Sequence, residues 1–342
     1  RLAGRETPRP LLHARRVLIV PADRHDTAGR GRPNRSGDDR TMPSPFIPIT
    51  PDCSENLLHL CADALPLDPY SLDLFDRRVF NDPRFDPDLA LGSQHAGRLV
   101  AAAVAVERSF PTGQHHAWIK LLAVAPAARG KGLATALMTE LERRCRRRQL
   151  PQIDTVGFPH YFWPGVDVRY TPACCLLETL GFKEARYIIN MAVDLNQSFD
   201  AADMQQRLAR DGFTFHRADA AVAAELVAFI ERDWPIWRDE VPLALANDPS
   251  SMFYCRHAGR IVAYAAYDVA MFPGTFGSMG TDPAFRGRGL GAVLLRLCLA
   301  DMQNKRYPRC EIAWVGPVGF YARQVNACIN RVFRDYRKTL TD

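Results

Sequence analysis

The chain lacks the signatures of several large protein classes. Its nine cysteines include no CxxC pair and its nine histidines show no HExxH spacing, so neither a disulfide framework nor a zinc site is written into it. Cys145, Cys174 and Cys298 fall at apolar positions of helix-like segments, which reads as buried, reduced thiols in a cytoplasmic protein. Adjacent His115 and His116 read as loop residues rather than metal ligands. No apolar run approaches the roughly 18 residues of a membrane span. A GxxxxGK[ST] phosphate loop is missing too.

What is present is an ordinary globular composition. Of 342 residues, 47% are hydrophobic and 24% charged, and that length is enough for two domains, each with its own core. The formal net charge of +6 invites a nucleic-acid partner until its location is examined. Residues 1–41 hold 10 Arg and 5 acidic side chains, a net of +5; the other 301 residues carry 34 basic and 33 acidic ones. The body is nearly neutral, which removes that argument for nucleic acid. Residues 1–41 read as a disordered extension or as sequence upstream of the natural start. Their longest aliphatic run, Val17–Val20, is too short for the core of a secretory signal.

The body is one unit written twice. Arg129 and Arg286, Gly132 and Gly289, and Ala134 and Gly291 are each 157 positions apart, as are Pro126 and Pro283. After each glycine-rich turn comes an amphipathic helix: Leu133, Leu137, Met138, Leu141 and Cys145 in one copy, Leu290, Leu294, Leu295, Cys298 and Met302 in the other. That 4-1-3-4 spacing is a buried helical stripe. Upstream, each copy reads as strand–turn–strand around Gly97 or Gly259. Earlier still come a short strand (46–50; 213–217) and a helix, with Asp52-x-x-Glu55 as a capping box and Asp219 as an N-cap. The expected boundaries are 42–197 for the first domain, 198–212 for a connecting segment and 213–342 for the second domain.

The turns read Arg129-Gly130-Lys131-Gly132-Leu133-Ala134 and Arg286-Gly287-Arg288-Gly289-Leu290-Gly291. Glycine removes Cβ atoms and permits φ > 0, letting the backbone approach a ligand. A helix start adds amides without intrahelical partners and the positive end of the dipole. Together these suit phosphate or pyrophosphate, and the flanking Arg and Lys add charge of the right sign. One such hexapeptide is weak evidence; two in register are strong. A dinucleotide fold is disfavoured because the turn follows several strands and the meander is not βαβ.

Both turns resemble the Arg/Gln-x-x-Gly-x-Gly/Ala motif of the GCN5-related N-acetyltransferase (GNAT) superfamily. The resemblance covers about residues 46–342 as two tandem domains. It implies an α+β fold, each domain a mixed, mostly antiparallel twisted sheet flanked by helices. It also implies acetyl-CoA as co-substrate, with the turn amides on its pyrophosphate and its pantetheine pairing like a strand. The pairing backbone would lie around Leu122–Val124 and Met279–Thr281. No metal is implied.

Acyl transfer to an amine needs a base for the amine, donors for the oxyanion and an acid for the departing thiolate. The family's acid is commonly a Tyr in a pattern like Phe-Tyr-Glu-Lys-Leu-Gly-Phe. Phe320-Tyr-Ala-Arg-Gln-Val-Asn326 places Tyr321 there, whereas Leu177 holds that place in the first copy. Asp268, Glu240 and Asp239 are base candidates in the second copy, each with solvent exposure as its plainer reading. Trp234 and Trp237 follow the first helix of that copy, where the family's acceptor site lies. The insert Pro159–Asp167, with Tyr161, Phe162 and Trp163, reads as packing of a loop onto the body or the neighbouring domain before it reads as a pocket. Arg143, Arg144, Arg146, Arg147 and Arg148 read as a solvated helix end.

The resulting expectation is a cytoplasmic N-acetyltransferase acting on a primary amine of a small molecule by direct transfer in a ternary complex. Neither nucleic acid nor membrane is a partner, and the second domain does the chemistry. Two alternatives stay open: catalysis in the first domain through His160 or its loop, and a module that senses acyl-CoA without turnover.

Overall fold

The computed structural model describes residues 46–109, 115–155, 161–269 and 272–340; the extension expected at 1–41 lies outside them. The first half runs β1 (Ile47–Pro48), α1 (Ser54–Ala64), α2 (Leu72–Phe75), β2 (Ala90–His95), β3 (Arg98–Ser109), β4 (His115–Val124) and α3 (Leu133–Arg147). It continues through β5 (Gln152–Asp154), β6 (Val166–Asp167), α4 (Thr171–Thr179) and β7 (Lys183–Val193). Helix α5 (Ala202–Arg210) then leads to β8 (Phe213–Arg217), α6 (Ala223–Asp233), α7 (Glu240–Leu245), β9 (Met252–His257), β10 (Arg260–Tyr267) and β11 (Thr275–Thr281). The chain closes with α8 (Leu290–Asn304), β12 (Cys310–Ile312), α9 (Val318–Val325) and β13 (Cys328–Thr339).

Local sequence accounts for much of this. The hairpins β2–β3 and β9–β10 turn through Ala96-Gly97 and Ala258-Gly259, all four with positive φ. That is the mirror-image turn whose twist matches paired strands. The apolar stripes of α3 and α8 are buried as their spacing requires. Asp219 caps as expected, accepting from the Ala221 amide. The capping box at Asp52 does not form: residues Pro51–Cys53 make a 3-10 turn, and the Thr50 side chain at the cap position accepts from no backbone amide. His115 and His116 are also not loop residues. They open β4, and His116 Nδ1 lies 2.9 Å from Asp154 Oδ2 on the neighbouring strand.

All strands belong to one mixed sheet, in the order β1-β2-β3-β4-β5-β13-β7-β12-β11-β10-β9-β8, with β6 beside β13. Among the described residues only β4–β5 and β11–β12 are parallel. The order at its centre is not that of two separate domains. Strand β13, from the second half, pairs with β5, while β7, from the first, pairs with β12. Each half thus completes the other's sheet. The connecting segment is likewise part of the body, because Phe199, Ala201 and Leu208 are buried in the second half's core.

Apolar clusters cover both faces of each half. In the first half α1 and α2 cover one face and α3 and α4 the other. In the second, α6 and α7 lie opposite α8 and α9. The aromatic insert joins the halves: Phe162 and Trp163 lie with ring centroids 6.4 and 5.5 Å from Phe272. His160 lies outside the described residues. The arginine run is not simply solvated, since Arg144 and Arg148 each bond Asp88 and tie the end of α3 to the loop before β2. All nine cysteines are free, with Cys145, Cys174 and Cys298 buried. Among the described residues no helix is long and apolar enough to cross a membrane.

Candidate active site

The two glycine turns have the same geometry. Gly132 and Gly289 occupy the N-cap positions of α3 and α8 at φ 79° and 93°, and neither has a side-chain cap. Gly130 and Gly287 also have positive φ, at 73° and 78°. A Cβ built on any of the four meets nothing within 4 Å. The backbone therefore forms an open cradle whose helix-start amides face outward, which fits a pyrophosphate.

The flanking arginines have a prior engagement. Arg129 Nε donates to the Val124 carbonyl and Nη2 to the Ala64 carbonyl. Arg286 Nε donates to the Thr281 carbonyl. Val124 and Thr281 are again 157 positions apart, so both arginines pin the turn to the end of its strand. Their charge is near the cradle, but their first task is its shape.

The strand before each turn has a free edge. Among the described residues, strand β4 pairs with β5 only at Ala117 and Trp118. Beyond them Ile119–Val124 line a cavity of about 850 Å³ that reaches the turn at Gly130 and Gly132. Leu122 and Val124 therefore present backbone to that space. Strand β11 pairs with β12 only at Thr275 and Phe276, leaving Met279 and Thr281 paired on the β10 side alone. An extended ligand arm would complete either ladder.

The far end of the first cavity carries the polar groups. Asp167, Arg169, Tyr170 and Arg331 line it. Tyr170 donates to Asp68 Oδ2 at 2.8 Å, and Arg331 Nε donates to Asp167 Oδ2 at 2.8 Å. Burial raises the Asp68 pKa against the pull of Arg331. Leu177 also lines this cavity, where a family-type acid would stand. Lys120, from β4, is buried against Asp82, and burial lowers its pKa to about 8.

In the second half, Glu240 at the start of α7 is 2% exposed. Its Oε2 accepts from the Ser278 hydroxyl at 2.6 Å, and the Tyr264 hydroxyl donates to Ser278 Oγ at 2.9 Å. Burial raises its pKa to about 7, with the Ser278 bonds pulling the other way. The solvated reading of Glu240 is therefore overturned. Asp268 is half-buried and accepts from Tyr307 and the Gly274 amide, so it is also engaged. Asp239 stays at the surface beside Arg238.

Trp234 lies on this face against β11. A Cβ on Gly280 would come within 2.7 Å of its ring, so that glycine is required by close approach. Trp237 stacks on Trp234 with centroids 6.2 Å apart. Across the junction Arg78 is 3% exposed, with Nε and Nη1 lacking hydrogen-bond partners. Its pKa falls to about 10, first through burial and then through Arg77. Tyr321 stands on the opposite face of the sheet, in the α8–α9 core, 6.2 Å from the Phe276 ring. Burial pushes its hydroxyl pKa up, and nearby Cys310 adds to the shift.

Glu240, Ser278, Trp234 and Trp237 are thus brought together on one side of β11, with Tyr321 on the other. Arg78, Asp68, Asp167, Tyr170 and Arg331 had no signal in the sequence, because each depends on contacts across the junction or on long-range pairing. Among the described residues no cluster of His, Cys, Asp and Glu suits a metal ion.

Comparison with known proteins follows the same division. The profile of the Acetyltransferase (GNAT) family matches residues 56–182 and 214–325. No curated protein matches. A GCN5-related glucosamine N-acetyltransferase region of a fungal multi-domain GH3 beta-N-acetylglucosaminidase superposes with TM-score 0.72 and 19% identity, over 88% of this chain and 39% of that one. This chain therefore spans well under half of that protein. A GCN5-related N-acetyltransferase from Sphaerobacter thermophilus gives 0.66 and 19%, over 88% and 98%. A tandem GNAT protein from the clavulanic acid biosynthesis pathway gives 0.61 and 15%, over 87% and 99%. These similarities extend to the fold.

Proposed function

Because the chain belongs to the acetyltransferase (GNAT) family, we propose that it transfers acetyl from acetyl-CoA to a primary amine of a small molecule, with the chemistry in its second half. The observation that carries this reading is Glu240, a buried carboxyl with a pKa near 7, bonded to the strand that leads into the second turn. Gly287, Gly289 and the first amides of α8 would hold the pyrophosphate. The free edge at Met279–Thr281 would pair the pantetheine. Acetyl-CoA supplies an acyl group activated as a thioester.

The residues divide the proton traffic between the two faces of the sheet. Glu240 takes the proton as the amine forms its bond to the acyl carbon, while Ser278 and Tyr264 orient the carboxylate. Tyr321, kept protonated by burial, gives its proton to the sulfur as the C–S bond breaks. Trp234 and Trp237 form an apolar wall for the acceptor near Glu240. Tyr321→Phe is expected to lower kcat by roughly tenfold to a hundredfold with KM for acetyl-CoA little changed. Steady-state thiol release measures both.

A second reading, catalysis in the first half, draws support from the 850 Å³ cavity at its turn. Gly289→Glu and Gly132→Glu separate the two. Each side chain projects a negative charge into a cradle now open, and each adds strain at positive φ. Gly289→Glu is expected to weaken apparent acetyl-CoA affinity about tenfold or more, and Gly132→Glu to spare turnover. The opposite pattern would move the chemistry to the first half. Calorimetric binding of acetyl-CoA with no thiol release across a broad amine panel would favour a sensor.

A further inference from the structure

Among the described residues that line the first cavity, Arg331 carries a buried polar atom without a hydrogen-bond partner. It arrives on β13, from the half that does not otherwise build this cavity, and it is 6% exposed. Nη1 lies 2.7 Å from Asp68 Oδ1, and Nε donates to Asp167 Oδ2. Nη2 is buried with no hydrogen-bond partner. A buried guanidinium N–H without an acceptor is costly, and such groups are rare in folded proteins.

The acidic groups nearby are already engaged, which leaves Nη2 for a ligand. Asp167 is held twice, because Arg169 grips it with Nε at 2.9 Å and Nη2 at 2.6 Å. Asp68 also receives the Tyr170 hydroxyl, and burial raises its pKa against the pull of Arg331. Lys120 pairs with Asp82. A planar donor whose Nη2 is free suits a carboxylate oxygen through a charge-assisted bond.

We propose that the end of the first cavity beside Arg331 binds a carboxylate. Two sources share this chemistry: an acyl-CoA whose acyl chain ends in a carboxylate, lying along β4 from the turn, or a free amine that carries one. The donor source rests on the acyl-CoA reading of the first turn; the amine source does not.

Calorimetry on the full chain tests it with matched probes. Succinyl-CoA is compared with acetyl-CoA, and β-alanine with β-alaninamide. In at least one pair the carboxylate is expected to bind about 10- to 100-fold more tightly. The double variant Asp68→Asn/Arg331→Gln removes the free donor together with its partner, while Arg169 still holds Asp167. It should erase the preference and keep the acetyl-CoA titration. Equal affinities within about threefold in both wild-type pairs, or a preference that survives the double variant, overturn the proposal. The wild-type comparison stands even where the variant folds poorly. Failure of Gly132→Glu to alter acyl-CoA binding would remove the acyl-CoA reading of this turn, and the β-alanine pair would then decide the carboxylate site alone.

Discussion

Replacing Glu240 with Gln is expected to lower kcat by roughly 10²- to 10⁴-fold, the range for loss of a positioned general base. The amide preserves volume and bonding to Ser278, so KM for acetyl-CoA should stay near the wild-type value. The wild-type rate should rise with pH and level off above about 7, because only the carboxylate accepts the amine's proton. Glu240→Gln should lose that limb. Stability should move the other way. The folded pKa lies above the ordinary 4.5, so the stabilisation from this carboxyl is full below about 4.5 and is lost as pH rises through about 7. At pH 8 the Gln variant should therefore be the more stable, by at most about 3 kcal/mol. Thermal melts between pH 5 and 8 check the sign. A Gln variant with normal kcat would sink the assignment of the base.

Arg331→Ala is expected to cost about 3–5 kcal/mol in urea unfolding, because Asp68 is left buried without its cation. The large effect comes from isolating a charge, not from the net worth of the pair. Asp68→Asn on the same background should restore part of the loss. Arg334, three residues along β13, makes its pairs with Glu178 and Glu184 near the surface, and its replacement should produce little change. If Arg331→Ala melts like wild type, the network beneath the first cavity is not holding the halves together.

Features carried by short stretches of chain were legible in advance. The 157-residue offset located both turns, their strands and their long helices, since glycine turns and helical stripes are specified within about twenty residues. The constant positions of Arg129 and Arg286 were visible too, although their bonds to Val124 and Thr281 were not. Tyr321 could be aligned from its neighbours. Its burial and its place across the sheet from Glu240 required the fold.

Expected exposure misled twice. Glu240 reads as a surface carboxylate because α7 is short and polar at its start, yet α7 packs that side chain against Ser278. The arginine run at 143–148 reads as a solvated helix end, yet Asp88 and Glu140 meet it. Glu140 is a same-helix neighbour, but the deciding partners, Ser278 and Asp88, are residues that sequence spacing does not bring near. Strand exchange hides more. Arg331 lies 164 residues from Asp167, and no periodicity marks a strand that leaves its own half.

By itself the sequence determined the two-fold repeat, the phosphate-sized cradles and the nearly neutral body, because these rest on local backbone preference, helical spacing and charge count. Only the tertiary structure decided that β7 and β13 trade places, that Glu240 is buried to a pKa near 7, and that Arg331 faces the first cavity. Strand partners and desolvation are properties of surfaces meeting across the whole chain, and a linear reading does not bring those surfaces together.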